Sequence, residues 1–530
     1  MNETSSAHAA SDQSPVADLL ADPATHGLDA GETVERIDTH GAMVFLAGER
    51  AIKVKRAVGF PYMDFSTLDK RRAACAAELR LNRRTAPALY RGARPIVRHD
   101  GGLRLGALQP DGPDPDAAAG EVVEWALELG RFPQSALLDR VAAAGDLDAA
   151  TIDALADTVA AFHAEAEPTA GGGADPLGWV IEENAQEFPE SPALFDAAAA
   201  DAVTRDSRAA LERLRGLLDR RAAEGLVRRC HGDLHLRNVV LLDGRPTLFD
   251  AIEFNDAIAC IDVLYDLTFL LMDLDRRGLT PAANRLLNRY LWTRDDIEGL
   301  AALPLFLSLR AAIRAKVSAS ALAAQSDAQA RERIAGDARA YFEAARAYLR
   351  TEPPGLVAIG GLSGSGKTTV ARELAAQLGD PPGALVIRSD VERKRLFGVG
   401  ETERLPERAY QGKVNADVYR AMLDRARRAL AAGRTAIVEA TFLDRSSRAD
   451  ARKTAEAAGV PFHGVWLQAP ADTLKDRVAG RSGDASDATV QVVEGQLQRA
   501  PKGEIAWPAV DAQGTPQQVA ARALALLEDG

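Results

Sequence analysis

The sequence predicts two folds in one chain: an α+β N-terminal half and an α/β C-terminal half built on a parallel sheet. Three observations predict it. Hairpins and a helix near the N-terminus give way to a long, mainly helical stretch. After residue 355, apolar runs of strand length alternate with helical ones, the pattern of a parallel sheet covered by helices. Between these regions lies "RTEPPG" at 350–355, whose prolines stop a helix and stiffen a short connection. The expected division is a flexible tail at 1–15, an N-terminal part at 16–350, a linker at 351–355 and a C-terminal part at 356–530.

The elements follow in order. "AMVFLAGERAIKVKRAV" reads as two strands around a turn at Gly48-Glu49-Arg50. "FSTLDKRRAACAAELRLNRR" reads as a helix, with Ser66 and Asp69 as a capping box and Leu68, Ala76 and Leu79 on its apolar face. "ALYRGARPIVRHDGGLRLGAL" is a second hairpin and "EVVEWALEL" a strand. Helices are expected from about 133 to 225, broken by "PTAGGGADP", and again from about 257 to 350. Beyond the connection, "LVAIGGLSGSGKTTVARELAAQL" is strand, glycine loop and helix, and "ALVIRSD", "TAIVEATF" and "FHGVWLQAP" are further strands.

Composition narrows the classes. Hydrophobic residues make up 47% of the 530 and charged residues 26%, a globular balance. The net charge of -12 gives no overall attraction to nucleic acid or an anionic membrane, though a local basic patch keeps a nucleic-acid acceptor open. Cys75, Cys230 and Cys260 are too few and too scattered for a disulfide framework or a zinc site. The first residues lack a basic start and an apolar run, and "IACIDVLYDLTFLLMDL" is interrupted by Asp262, Asp266 and Asp273. A cytoplasmic location is expected.

"GLSGSGKT" at 361–368 satisfies G-x-x-x-x-G-K-[ST] between a strand and a helix. Gly361, Gly364 and Gly366 let backbone N–H groups curl around phosphate oxygens, and the helix N-terminus adds partial positive charge. Lys367 reaches the outer phosphates and Thr368 offers a hydroxyl to Mg²⁺. Ser363, Ser365 and Thr369 belong to the same expected ATP site. Asp390 ends a strand, where a carboxylate can take a proton from an attacking hydroxyl, and Arg393 one turn later can hold an anionic part of the acceptor. Arg477 and Arg481 share a helical face and can neutralise charge on a transferred phosphoryl group. Glu439 ends another strand, near metal or substrate, but no apolar run ends in Asp, so the second metal ligand stays open. On these residues, 355–530 resembles the P-loop kinases that include gluconate kinases, zeta-toxin-like kinases and polynucleotide kinases.

The other cluster is "HGDLHLRN" at 231–238. Asp233 can accept a hydroxyl proton, and Asn238, five residues on, can ligate Mg²⁺. A hairpin turning at Asp243-Gly244 follows, and Asp250 at its end resembles in placement the metal-binding Asp of protein kinases. Upstream, Lys53 and Lys55 lie on one strand face, either able to grip ATP, with Lys53 favoured by the A-I-K pattern and Glu78 as partner on the next helix. "EWALE" at 124–128 sits where a hinge would meet adenine. His231 would orient the loop, and His235 reads as structural. Residues 35–345 thereby resemble the aminoglycoside phosphotransferase family, which shares the protein-kinase-like two-lobed fold. In "IDVLYDL", the resemblance implies that Asp262 or Asp266 braces the loop. No strict glycine-rich nucleotide loop is present, only "THGAMVFLAGER", which favours this family over protein kinases.

The expected function is a bifunctional phosphotransferase that uses ATP and Mg²⁺, with Asp233 and Asp390 as bases and small metabolites of sugar or amino-sugar type as acceptors. One half acting as a nucleotide-binding regulatory ATPase, and an aminoglycoside kinase, are the alternatives.

Overall fold

The computed structural model describes residues 12–29, 31–60, 62–322, 325–480, 485–500 and 505–528. Of the expected tail, residues 1–11 lie outside these, and a helix already starts at Ser14 (Ser14–Ala21). The chain forms two compact units. One joins Met1–Gly172 to Ala222–Leu267, and the other joins Gly173–Arg221 to Thr268–Gly530.

The first unit carries a six-stranded antiparallel sheet. Its order is Glu35–Asp38, Ala42–Ala47, Arg50–Lys55, Val122–Gly130, Tyr90–His99 and Gly102–Leu105. Both expected hairpins form, and Arg50 belongs to its strand rather than to the turn. The strand Val122–Gly130 is central: Ala126, Leu127 and Leu129 pair on both sides, with Arg50–Lys55 and with Tyr90–His99. This corrects the reading of 124–128 as a hinge: 126–128 pair on both sides, and 124–125 pair with Tyr90–His99. The adjacent Glu124 and Glu128 are buried against Arg71 and Arg94 instead.

The helix Leu68–Asn82 packs on this sheet through Cys75 and Leu79. Its cap is Thr67, whose hydroxyl accepts from the Lys70 N–H, not Ser66, whose hydroxyl donates to Asp64. Ala76 is exposed, so the buried stripe runs through Ala74, Cys75 and Glu78 instead. Where a glycine loop would stand, Thr39 closes a tight turn by accepting from the Ala42 N–H.

The second unit contains the helices Ala174–Glu187, Thr280–Arg294, Leu303–Ala321 and Ala328–Tyr348, and a five-stranded sheet. The sheet order is Leu385–Arg388, Ala436–Glu439, Leu356–Gly361, Phe462–Gln468 and Ala509–Asp511, all parallel. Helices Lys367–Ala375 and Pro516–Glu528 cover one face over Val357, Ile359, Val465 and Val510. On the other face a Cβ on Gly464 would strike Trp507, and one on Gly360 would strike Trp466 first and Trp507 next. Among the described residues, no helix is long and apolar enough to cross a membrane.

Candidate functional site

In the first unit, the strand Arg50–Lys55 carries Lys53 and Lys55 on one face, and both converge on Glu78 of the helix behind. The Lys53 Nζ lies 2.8 Å from Glu78 Oε1 and 2.5 Å from Asp250 Oδ1. Lys55 donates to Glu253 instead. Lys53, 14% exposed, is thus the lysine joined to Asp250, while Lys55, 4% exposed, is packed away over the Phe65 ring. Burial would raise the Glu78 carboxyl, but the two ammonium groups overcome it and hold it at about 2. Burial likewise opposes the charge on Lys53, yet Asp250 and Glu78 raise its pKa well above the ordinary value.

Asp250 follows the hairpin Val239–Leu242/Arg245–Leu248 and has φ +62°, a left-handed conformation rare for a non-glycine residue. Two neighbours hold it there. The Asp250 N–H donates to the Tyr90 hydroxyl at 3.2 Å, and the Ala251 N–H donates to Asn82 Oδ1 at 2.7 Å. Strain of this kind persists when surroundings over-determine it, and it clusters at functional sites.

The loop 231–238 is braced from behind. Asp266 accepts from the backbone N–H of His231 at 3.1 Å and of Gly232 at 2.8 Å, and from His163 Nε2 at 3.1 Å. Asp262 accepts from the Leu264 N–H at 2.8 Å, within its own turn. Of the two candidate braces, Asp266 reaches the loop through two backbone N–H groups. His163, Cys230 and Asp266 also form a buried trio, but the carboxylate already receives three N–H donors. His231 Nε2 donates to the Phe249 carbonyl at 2.9 Å, tying the loop to the residue before Asp250. Asn238 Nδ2 donates to both the Asp233 carbonyl at 2.9 Å and its Oδ2 at 3.0 Å, so the two residues of the motif meet. His235 Nε2 lies 3.3 Å from the same oxygen.

In the second unit, Gly361, Gly364 and Gly366 all have positive φ, and a Cβ on Gly364 would strike the Leu474 backbone. The loop curls as the motif requires. Lys367 Nζ donates to the Leu362 carbonyl at 3.1 Å. Thr368 Oγ1 lies 3.2 Å from Glu439 Oε2. The apolar run Ala436–Val438 therefore ends in Glu where Asp was sought, and that carboxylate is the one facing the P-loop hydroxyl. Ser363 is clamped twice by Gln496: its N–H donates to Oε1 at 2.8 Å, and Nε2 donates to its hydroxyl at 3.0 Å. Ser365 is buried in the loop and Thr369 is exposed.

Asp390 is half-buried in the first turn of the helix Ser389–Leu396, and the helix cap position is Arg388, not Asp390. Arg393 donates to the Ala409 carbonyl at 2.6 Å, with its guanidinium 4.7 Å over Tyr410. Around that helix Asp487 accepts from Lys394 at 2.7 Å, from the Tyr410 hydroxyl at 2.6 Å and from the Leu405 N–H at 3.1 Å. Arg477 donates to the Ala512 carbonyl at 2.9 Å and approaches Gly364 O at 3.5 Å, placing it against the P-loop. Arg481 lies outside the described residues.

Sequence reasoning missed Gln496, Asp487, Tyr90, Asn82 and Glu253. Only Glu253 carried a local signal, three residues after Asp250 in "FDAIEF".

Residues 70–303 match the phosphotransferase enzyme family, and residues 356–502 match the AAA domain family. Together with the folds, these matches define a kinase: a phosphotransferase domain followed by a P-loop kinase domain. The chain is 30% identical over 468 residues to an uncharacterized protein of Mycobacterium tuberculosis and to one of Mycobacterium bovis, covering 86% of this chain and 88% of each relative. It belongs to the family of these proteins. It is also 35% identical over 116 residues to the adenylyl-sulfate kinase of Myxococcus xanthus, spanning 22% of this chain and 57% of that one. Among solved structures, a gluconokinase from Sinorhizobium meliloti is similar over 34% of this chain and 94% of its own, at 25% identity and a TM-score of 0.25. An APS kinase from Mycobacterium tuberculosis is similar over 33% and 98%, at 21% identity and a TM-score of 0.25.

Proposed function

We propose that each half moves the ATP γ-phosphoryl group to a hydroxyl of a small metabolite of sugar or amino-sugar type. Residues 16–350 and 356–530 would be the two kinase parts. The observation that carries this reading is the convergence of Lys53, Glu78 and Asp250 within 2.8 Å, with Asn238 bonded to Asp233.

In the N-terminal half, Lys53 would hold ATP phosphates, fixed by Glu78. Asp233 would accept the acceptor proton, its carboxylate aimed by Asn238. The donor set fits Mg²⁺: Asp250 and the Asn238 side-chain oxygen are hard oxygen ligands, as are Thr368 and Glu439 in the other half. The metal would neutralise charge on the transferred group. In the C-terminal half, Asp390 would be the base, Arg393 would hold the acceptor, and Arg477 would sit beside the phosphates. A cationic aminoglycoside is disfavoured because Glu78, Asp250 and Glu253 are already paired with Lys53 and Lys55.

The test is phosphorus NMR of Mg-ATP turnover with a small-metabolite extract, for wild type, Asp233→Asn and Lys367→Ala. Two phosphorylated products, each lost by about 10²–10⁴-fold with a different variant, are expected. ADP and free phosphate alone in every sample would refute the transferase reading.

A further inference from the structure

The segment that matches the phosphotransferase family does not end its work in its own fold. The helix Thr280–Arg294, inside residues 70–303, lies along Leu385–Arg388, the edge strand of the P-loop sheet. Asn288 Oδ1 accepts from the Val386 N–H at 2.7 Å, and Asn284 Nδ2 donates to the Ala384 carbonyl at 3.0 Å. Two asparagines thus meet backbone groups that an edge strand leaves unpaired. Beyond the edge, Arg395 donates to the Trp292 carbonyl at 2.5 Å, and Asp295 receives Arg425. This helix is fixed to the P-loop sheet at several points.

One side chain on it leads into the nucleotide site. The Arg289 guanidinium donates to Glu401 Oε2 at 2.6 Å. The other oxygen of Glu401 accepts from Arg388 Nη1 at 3.0 Å. Arg388 is buried and pairs in register with Glu439, its Nε 3.8 Å from Glu439 Oε1. Glu439 in turn faces Thr368. Four charged residues therefore lie in succession from a helix of the phosphotransferase-matching segment to the hydroxyl of the P-loop, hydrogen-bonded except between Arg388 and Glu439, where the 3.8 Å approach is an ion pair.

We propose that Arg289 is a positioning residue of the C-terminal nucleotide site: through Glu401 and Arg388 it sets the Glu439 carboxylate that faces Thr368. The argument rests on the reading above that Thr368 and Glu439 hold the Mg²⁺ of bound ATP. Groups that orient a metal ligand typically change metal affinity or activity by about 10–100-fold when removed. Arg388 is buried between two carboxylates, so its position depends on both. Loss of Arg289 leaves Glu401 free to turn toward solvent, and Arg388 is then free to pull Glu439 away from Thr368.

The test uses the full-length protein with Lys53→Ala and Asp250→Ala, so that binding reports the P-loop site. A fluorescent ATP analogue is titrated with Mg²⁺ and again with EDTA. Arg289→Ala is expected to weaken binding about tenfold with Mg²⁺ and to leave binding in EDTA unchanged. Glu401→Gln, at a half-buried site, should do the same, and Arg289→Lys should recover most of the affinity. Equal loss in both conditions would mean a merely structural helix contact, and no loss would mean no coupling; either overturns the proposal. Glu439→Gln separates the two readings. If it leaves the Mg²⁺ dependence intact, the metal assignment falls and the relay with it. If it abolishes that dependence while Arg289→Ala and Glu401→Gln have no effect, the relay alone falls.

Discussion

Glu78→Gln tests the buried charge cluster of the first unit. The carboxylate is buried and shared by Lys53 and Lys55. Its pKa is held at about 2 against an ordinary 4.5, a gap worth about 3 kcal/mol at 1.36 kcal/mol per pH unit. Breaking a buried pair by removing one partner costs about 3–5 kcal/mol, which sets the size expected here. The sign follows from the depressed folded pKa. The stabilisation is present above 4.5 and is lost as pH falls toward 2, with about 2 kcal/mol gone by pH 3. The variant should therefore be about 3 kcal/mol less stable than wild type at pH 7 and about 1 kcal/mol less stable at pH 3. Urea unfolding read by hydrogen exchange in the strands Ala42–Ala47 and Arg50–Lys55 measures both. A deficit under about 1 kcal/mol at pH 7, or one that does not shrink at pH 3, would refute the account. ATP affinity of the N-terminal site should fall in parallel, since Lys53 loses one of its two anchors.

Gln496→Ala should weaken nucleotide binding at the P-loop by about tenfold, because Ser363 loses both clamping bonds, and calorimetry would detect it. Glu392 is pushed up to about 7 by burial, against the pull of Arg425 at 3.0 Å. Its folded pKa is raised, so its stabilisation is complete below 4.5 and is lost as pH rises through about 7. Glu392→Gln should raise the Tm at pH 8 by a few degrees and leave it unchanged at pH 4, as scanning calorimetry can show. Gly464→Ala would put a methyl group inside the Trp507 ring and should cost about 1–3 kcal/mol, with a shift in tryptophan emission.

Features legible in the sequence were local. The strand–loop–helix at 356–375 was readable because motif and flanking periodicity lie within twenty residues. The Asp and Asn of the loop 231–238 stood out by their spacing of five, and the turn at Asp243-Gly244 by its residue types. Distant partners were not legible. Asn82 meets Ala251 across 169 positions and Gln496 meets Ser363 across 133, and one sequence records no preference among its many polar residues. The role of Asp266 was of this kind, since it shares one short motif with Asp262 and only the fold shows it at the loop. The misplaced hinge had another cause. Alternation cannot tell an edge strand from a central one, and only the pairing of 126–128 on both sides, with 124–125 held to Tyr90–His99, removes the stretch from contention.

The same limit explains why the prolines at 353–354 mislead as a guide to compactness. A break in local structure marks where a helix ends, while a compact unit is set by which faces are covered. The edge strand Leu385–Arg388 needs a partner for its backbone groups, and within the described residues Asn284 and Asn288 supply it from a helix that begins over 70 residues before that connection. A P-loop segment cut at residue 356 would expose that edge and strand Asp295, Glu298 and Arg289 away from Arg425, Arg428 and Glu401. The C-terminal kinase fold is thus tied to a helix that sequence similarity assigns to the phosphotransferase family, and it needs that helix for its edge strand.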